Sequence, residues 1–70
     1  MEWVEVQFPA TRDVFIGNRL VGATNTLLTT REGPQTIHLG PGGGYKPRER
    51  RVNVTGTAAD DPMTVIFSRS

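Results

Sequence analysis

The stretch Val14–Gly22, reading V-F-I-G-N-R-L-V-G, constrains this chain more than any other. Two short runs of β-branched, aromatic and aliphatic residues flank Gly17-Asn18, and such a pair between strand-like runs signals a two-residue β-hairpin. The central positions of these turns take positive φ, which Gly accepts freely and Asn tolerates. With Gly17 and Asn18 as the loop, Ile16 faces Arg19, Phe15 faces Leu20 and Val14 faces Val21. The two-residue period then puts Val14, Ile16 and Val21 on one face, and Phe15 and Leu20 on the other.

The rest of the chain reads as more strand packed around this hairpin. Glu2–Phe8 alternates, with Val4, Val6 and Phe8 on one side, and Pro9 ends it because proline cannot donate to a ladder. Arg12–Ile16 and Arg19–Ala23 are the hairpin arms, with Gly22 marking a bulge or a close backbone approach. Leu27–Thr30 is a short strand after the polar break Thr24-Asn25-Thr26. Arg31–Pro34 reads as a turn. Gln35–Leu39, Arg48–Val54 and Met63–Ser68 alternate again, separated by the Gly40–Gly44 loop and the polar Thr55–Pro62 segment. No window carries the i, i+3, i+4, i+7 pattern of a helix. The expected fold is all-β: one domain over residues 1–70, a small β-sandwich of about seven short, mostly antiparallel strands with no helix.

Seventy residues bury a modest core, only about 60% of the surface the unfolded chain exposes. With no cysteine, disulfides, thiolate metal sites and cysteine nucleophiles drop out. Eight basic against seven acidic residues leave a net charge of +1, too little to pull the whole molecule toward nucleic acid or membrane. No apolar run approaches the roughly 20 residues of a membrane helix. The start, M-E-W-V-E-V, lacks the basic and apolar regions of a signal peptide. If the chain is a piece of a longer protein, that missing signal carries no information.

The order of punctuation resembles the PEGA domain family. Val4 and Val6 followed by Pro9 look like that family's first strand and its proline. Val14-Phe15-Ile16, the turn, then Val21-Gly22 and Thr24 resemble its central hairpin. Glu32-Gly33 falls where the naming segment lies, Ile37 and Leu39 match the next strand, and Gly44-Tyr45-Lys46-Pro47 before Val52 and Val54 resembles its G-Y loop. The chain departs from the pattern at Arg31, Pro34 and Asn25, and at a Gly-Asn rather than Asp-Gly turn. The resemblance implies a small prealbumin-like sandwich that serves bacterial surface or multidomain proteins as a binding or spacer module, with no active site to carry over.

Each chemically suggestive residue has a plainer alternative. Gly40–Lys46 holds glycines and a lysine, but a phosphate-binding P-loop needs Ser or Thr after the lysine and then a helix, whereas Pro47 follows here. A flexible strand connection that lets Tyr45 turn inward is the simpler reading. His38 is the only histidine, without a second ligand for a metal or a partner for a triad, and its strand position places it on the solvent side. Asp60-Asp61 before Pro62 read as turn formers. Lys46, Arg48, Arg50 and Arg51 are the one basic cluster, either a solvated strand end that discourages edge pairing or a polyanion patch. Phe15 and Leu20, left outside if Val14 and Ile16 line the core, either mark a partner surface or are covered by a terminal segment around Trp3.

These readings give a non-enzymatic interaction or spacer module that binds another protein or a cell-surface component through Phe15 and Leu20. The alternative is weak polyanion or nucleic-acid binding through Lys46, Arg48, Arg50 and Arg51. No cofactor is expected, nucleic acid is the less favoured partner, and a free strand edge leaves room for a homodimer.

Overall fold

The computed structural model describes all seventy residues and forms nine short strands with no helix. In chain order they are β1 (Glu2–Gln7), β2 (Asp13–Ile16), β3 (Arg19–Ala23), β4 (Leu27–Thr30), β5 (Gly33–His38), β6 (Tyr45–Lys46), β7 (Arg50–Val54), β8 (Met63–Ile66) and β9 (Ser68–Arg69). They make a three-stranded sheet in the order β4-β1-β8, a four-stranded sheet in the order β3-β2-β5-β7, and the small pair β6-β9. All pairings are antiparallel except β1 with β8, which run parallel.

Alternation explains which residues meet between the sheets. Val4 and Val6 of β1, Leu28 of β4 and Val65 of β8 point inward from the first sheet. Val14 and Ile16 of β2, Ile37 of β5 and Val54 of β7 point inward from the second. Phe8, Leu39 and Phe67, each just past a strand end, complete one continuous core of eleven apolar side chains. Each fully buried aliphatic or aromatic side chain of this kind contributes about 1.5–3 kcal/mol by leaving water. This is the all-β sandwich that the strand pattern implies, with two extra two-residue strands where the chain enters β7 and leaves β8.

Several expectations shift in detail. The hairpin keeps Ile16 opposite Arg19 and Phe15 opposite Leu20, but Val14 pairs with Gly22 rather than Val21. A bulge makes Val21 the extra residue on β3, and its side chain still packs against the core. Gly22 serves the bulge because the Leu28 side chain lies where a Cβ would stand, 2.5 Å from Leu28 Cδ2. Gly17 has φ +63° while Asn18 stays at negative φ, the sign pattern of a type II′ turn. Gly33 and Pro34, expected in a turn, open β5, with Pro34 opposite Asn53 of the edge strand β7. Arg48 and Glu49 lie before β7 rather than in it.

The polar break at Thr24-Asn25-Thr26 is more than a connection. Thr24 is 2% exposed, and its Oγ1 accepts from the Arg12 N–H at 2.9 Å and donates to the Ala10 carbonyl at 2.9 Å. Asn25, at φ +64°, accepts from the Phe8 N–H through Oδ1 at 3.2 Å and donates from Nδ2 to the Phe8 carbonyl at 2.9 Å. Two adjacent side chains thus satisfy the backbone of residues 8–12, where Pro9 has broken the ladder. No buried side-chain polar atom is left without a partner.

At the other end, the Thr55–Pro62 segment is tied to β1. The Trp3 N–H donates to Thr57 Oγ1 at 2.7 Å, and Thr57 donates from both its hydroxyl (2.7 Å) and its N–H (2.9 Å) to Glu2 Oε1. Those two bonds, the hydroxyl's foremost, hold the Glu2 carboxyl below its ordinary value near 4.5.

Candidate functional site

The outer face of the four-stranded sheet carries one apolar row running straight across three strands. Leu20 on β3 stands opposite Phe15 on β2, and Phe15 stands opposite His38 on β5. Leu20 is 55% exposed. Phe15 is half-buried, stacked on the His38 ring with centroids 5.1 Å apart and planes within 4°. What shields Phe15 is therefore its own sheet and the Gly40 backbone, not a terminal segment, since Trp3 belongs to the opposite sheet, where it pairs with Thr29. Gly40 has φ +82°, and a Cβ there would stand 2.7 Å from Phe15 Cε1, so only glycine lets the chain pass over the ring.

His38 holds this row in place. The Gly40 N–H can only donate, and it reaches His38 Nδ1 at 3.1 Å; the Gly17 carbonyl can only accept, and it lies 2.9 Å from Nε2. The two together assign the neutral tautomer with its proton on Nε2. The imidazole is half-buried rather than a free solvent-side ring, and it links the hairpin turn to the Gly40–Gly44 loop.

That loop is held by a residue that nothing local in the sequence singles out. Arg12 donates from Nη1 to the Gly43 carbonyl at 2.7 Å, and from Nη2 to the carbonyls of Leu39 at 3.2 Å and Pro41 at 3.1 Å. Its guanidinium carbon lies 4.9 Å from the centre of the Tyr45 ring. Tyr45 does turn inward: its hydroxyl donates to the Gly40 carbonyl at 2.8 Å, and its ring meets Phe67 edge-on at 5.7 Å. The loop that reads as a flexible connection is thus pinned at three of its carbonyls and at that of Leu39 just before it. No helix follows it, and Lys46 belongs to β6, opposite Ser68 of β9.

The four cations of the basic cluster do not act as a set. Arg50 is half-buried and donates to the Ile66 carbonyl at 3.0 Å. Arg51 pairs with Glu49 at 3.1 Å, an exposed contact of small energetic consequence. Lys46 and Arg48 are exposed and engage no side chain. Asp60 and Asp61 lie in a tight polar loop, where Ala58 and Asp61 exchange backbone hydrogen bonds of 3.1 and 2.9 Å. No three His, Asp or Glu side chains gather closely enough to hold a metal ion.

The opposite sheet also exposes apolar side chains, Leu27 at 47% and Ile66 at 53%. They stand on its outer face across from Glu5 and Gln7 respectively, and an open depression of about 570 Å³ runs beside Ile66, floored by Phe8 and Phe67. No family model, curated protein or solved structure matches the chain significantly.

Proposed function

We propose that this chain is a non-enzymatic interaction module that binds another protein, or a component of a cell surface, through the outer face of its four-stranded sheet. The observation that carries this reading is the row Leu20–Phe15–His38. It presents an exposed leucine beside a braced aromatic ring on a face that the sandwich itself leaves open. The bracing matters because a side chain already held in one rotamer loses little freedom when a partner covers it. The only imidazole commits both nitrogens to backbone groups, which argues against a general-base role. The small sandwich also suits the PEGA-type binding or spacer role that the sequence suggests.

Leu20→Asp tests the reading, because Leu20 is exposed and its replacement leaves the core untouched. Proteins retained by the immobilised chain from its own source at high salt should be lost with Leu20→Asp, while the melting temperature stays within a few degrees of the parent. Unchanged retention by the variant overturns the reading. The second reading, a polyanion patch, is favoured only by the free Lys46 and Arg48. It predicts retention that falls steeply with salt and survives Leu20→Asp.

A further inference from the structure

We infer that the Gly40–Gly44 loop and Arg48 form a site for a single tetrahedral oxyanion, a phosphate or sulfate group. The inference rests on which way the loop's peptide groups point, and it is independent of the sheet-face reading.

In a trans peptide the carbonyl of one residue and the N–H of the next point in opposite directions. Arg12 draws the carbonyls of Leu39, Pro41 and Gly43 to itself. The N–H groups of Gly40, Gly42 and Gly44 therefore point away from Arg12. Gly40 shows the rule at work, since its N–H is the one that reaches His38 Nδ1. The N–H groups of Gly42 and Gly44 make no hydrogen bond within the protein. The loop thus has one side of carbonyls, consumed by a guanidinium, and another side of donors left free.

The Gly42 side of the loop borders an open depression of about 740 Å³, lined by His38, Gly42, Gly43, Tyr45 and Arg48 among others; neither Arg12 nor Gly44 is part of that lining. The charges around it favour an anion. Arg12 has no carboxylate partner, because the molecule's one ion pair is Arg51 with Glu49. Its positive charge sits behind the loop and polarises the same peptides whose N–H groups face out. Arg48 is exposed at the rim and bonded to nothing. Glu49, the one carboxylate on the rim, is engaged by Arg51 Nε. The free Gly42 N–H and the fork-shaped Arg48 guanidinium, on one depression, match the several acceptor oxygens of a phosphate or sulfate group.

The test is a titration of the isotope-labelled chain with sodium phosphate, followed by the amide resonances at ionic strength held constant with sodium chloride. The Gly42 amide should shift saturably, with a dissociation constant in the millimolar range expected for a few charge-assisted hydrogen bonds on an open surface. Arg48→Gln should weaken binding about tenfold, the worth of one such bond, and Glu49→Gln should tighten it. Arg12→Gln should also weaken binding, with loss of the Gly42 shift. Leu20→Asp should leave the titration unchanged, which separates this site from the sheet face. Inorganic sulfate and phosphoserine, run alongside, tell a free anion from an esterified one. Shifts that rise linearly without saturation, or that persist unaltered in Arg48→Gln, overturn the inference.

Discussion

Thr24 shows how much one buried hydroxyl can hold. It both donates and accepts, and both its partners are backbone groups. Thr24→Val keeps the shape and removes both bonds, so the Arg12 N–H and the Ala10 carbonyl lose their partner. That costs about 1–3 kcal/mol in denaturant unfolding, and Thr24→Ser should recover most of it. Glu2 makes a second residue-scale prediction. Its carboxyl lies below the ordinary value because the Thr57 hydroxyl, and then the Thr57 N–H, donate to it; burial opposes them, and the nearby amino terminus adds a smaller downward pull. A lowered folded-state value means the folded chain favours the carboxylate. Its contribution is therefore complete above the ordinary value near 4.5 and fades as the pH falls through the lowered one. The melting-temperature difference between parent and Glu2→Gln should hold steady above that range and narrow below it. None of these roles was legible in the sequence. Arg12 acts on carbonyls 27 to 31 positions away, Thr24 on groups 12 and 14 positions away, and Thr57 on residues 54 and 55 positions away. A carbonyl acceptor leaves no mark in a sequence, since every residue has one.

At the scale of elements, alternation did most of the work. Val4, Val6 and Phe8 and, at the other end, Val65 and Phe67 are buried as their two-residue period requires, and the Phe15–Leu20 pairing follows from the Gly17-Asn18 loop. The bulge is where local reading stops. Gly22 signals an irregularity, but the Leu28 side chain from another strand that crowds the position of its missing Cβ, and the pairing of Val14 with Gly22, are visible only in three dimensions. Pro34 misleads for a related reason. Its missing N–H argues against a central ladder, yet at the start of β5 the ladder accommodates it. The crossing of Gly40 over Phe15 gives a sharper forecast. Gly40→Ala forces a non-glycine residue to positive φ and drives a Cβ into the ring, so unfolding should come about 2–4 kcal/mol earlier. Phe15→Leu in the same chain should relieve the clash and leave only the backbone cost. A double-mutant cycle with no coupling between the two positions would refute this account.

For the whole molecule, the accessible surface is 4365 Å², close to the roughly 4,300 Å² expected of a folded monomer of this size. The radius of gyration of 11.0 Å likewise matches the value of about 11 Å for seventy compact residues. β3, β4, β7 and β8 stand at the edges of the two larger sheets. The melting temperature should not move over about a hundredfold range of protein concentration; a rise with concentration would reveal strand-edge association.

The parallel pairing of β1 with β8 has a mechanical consequence. Val4–Gln7 lie alongside Met63–Ile66, and the Phe67 N–H extends the ladder to the Gln7 carbonyl at 2.9 Å. Tension applied at residues 1 and 70 drags these two strands lengthwise past each other. The β1-β8 bonds are then loaded together rather than opened one at a time. A segment drawn taut between neighbours along this axis would behave as a stiff link, yielding only when the whole ladder slips at once.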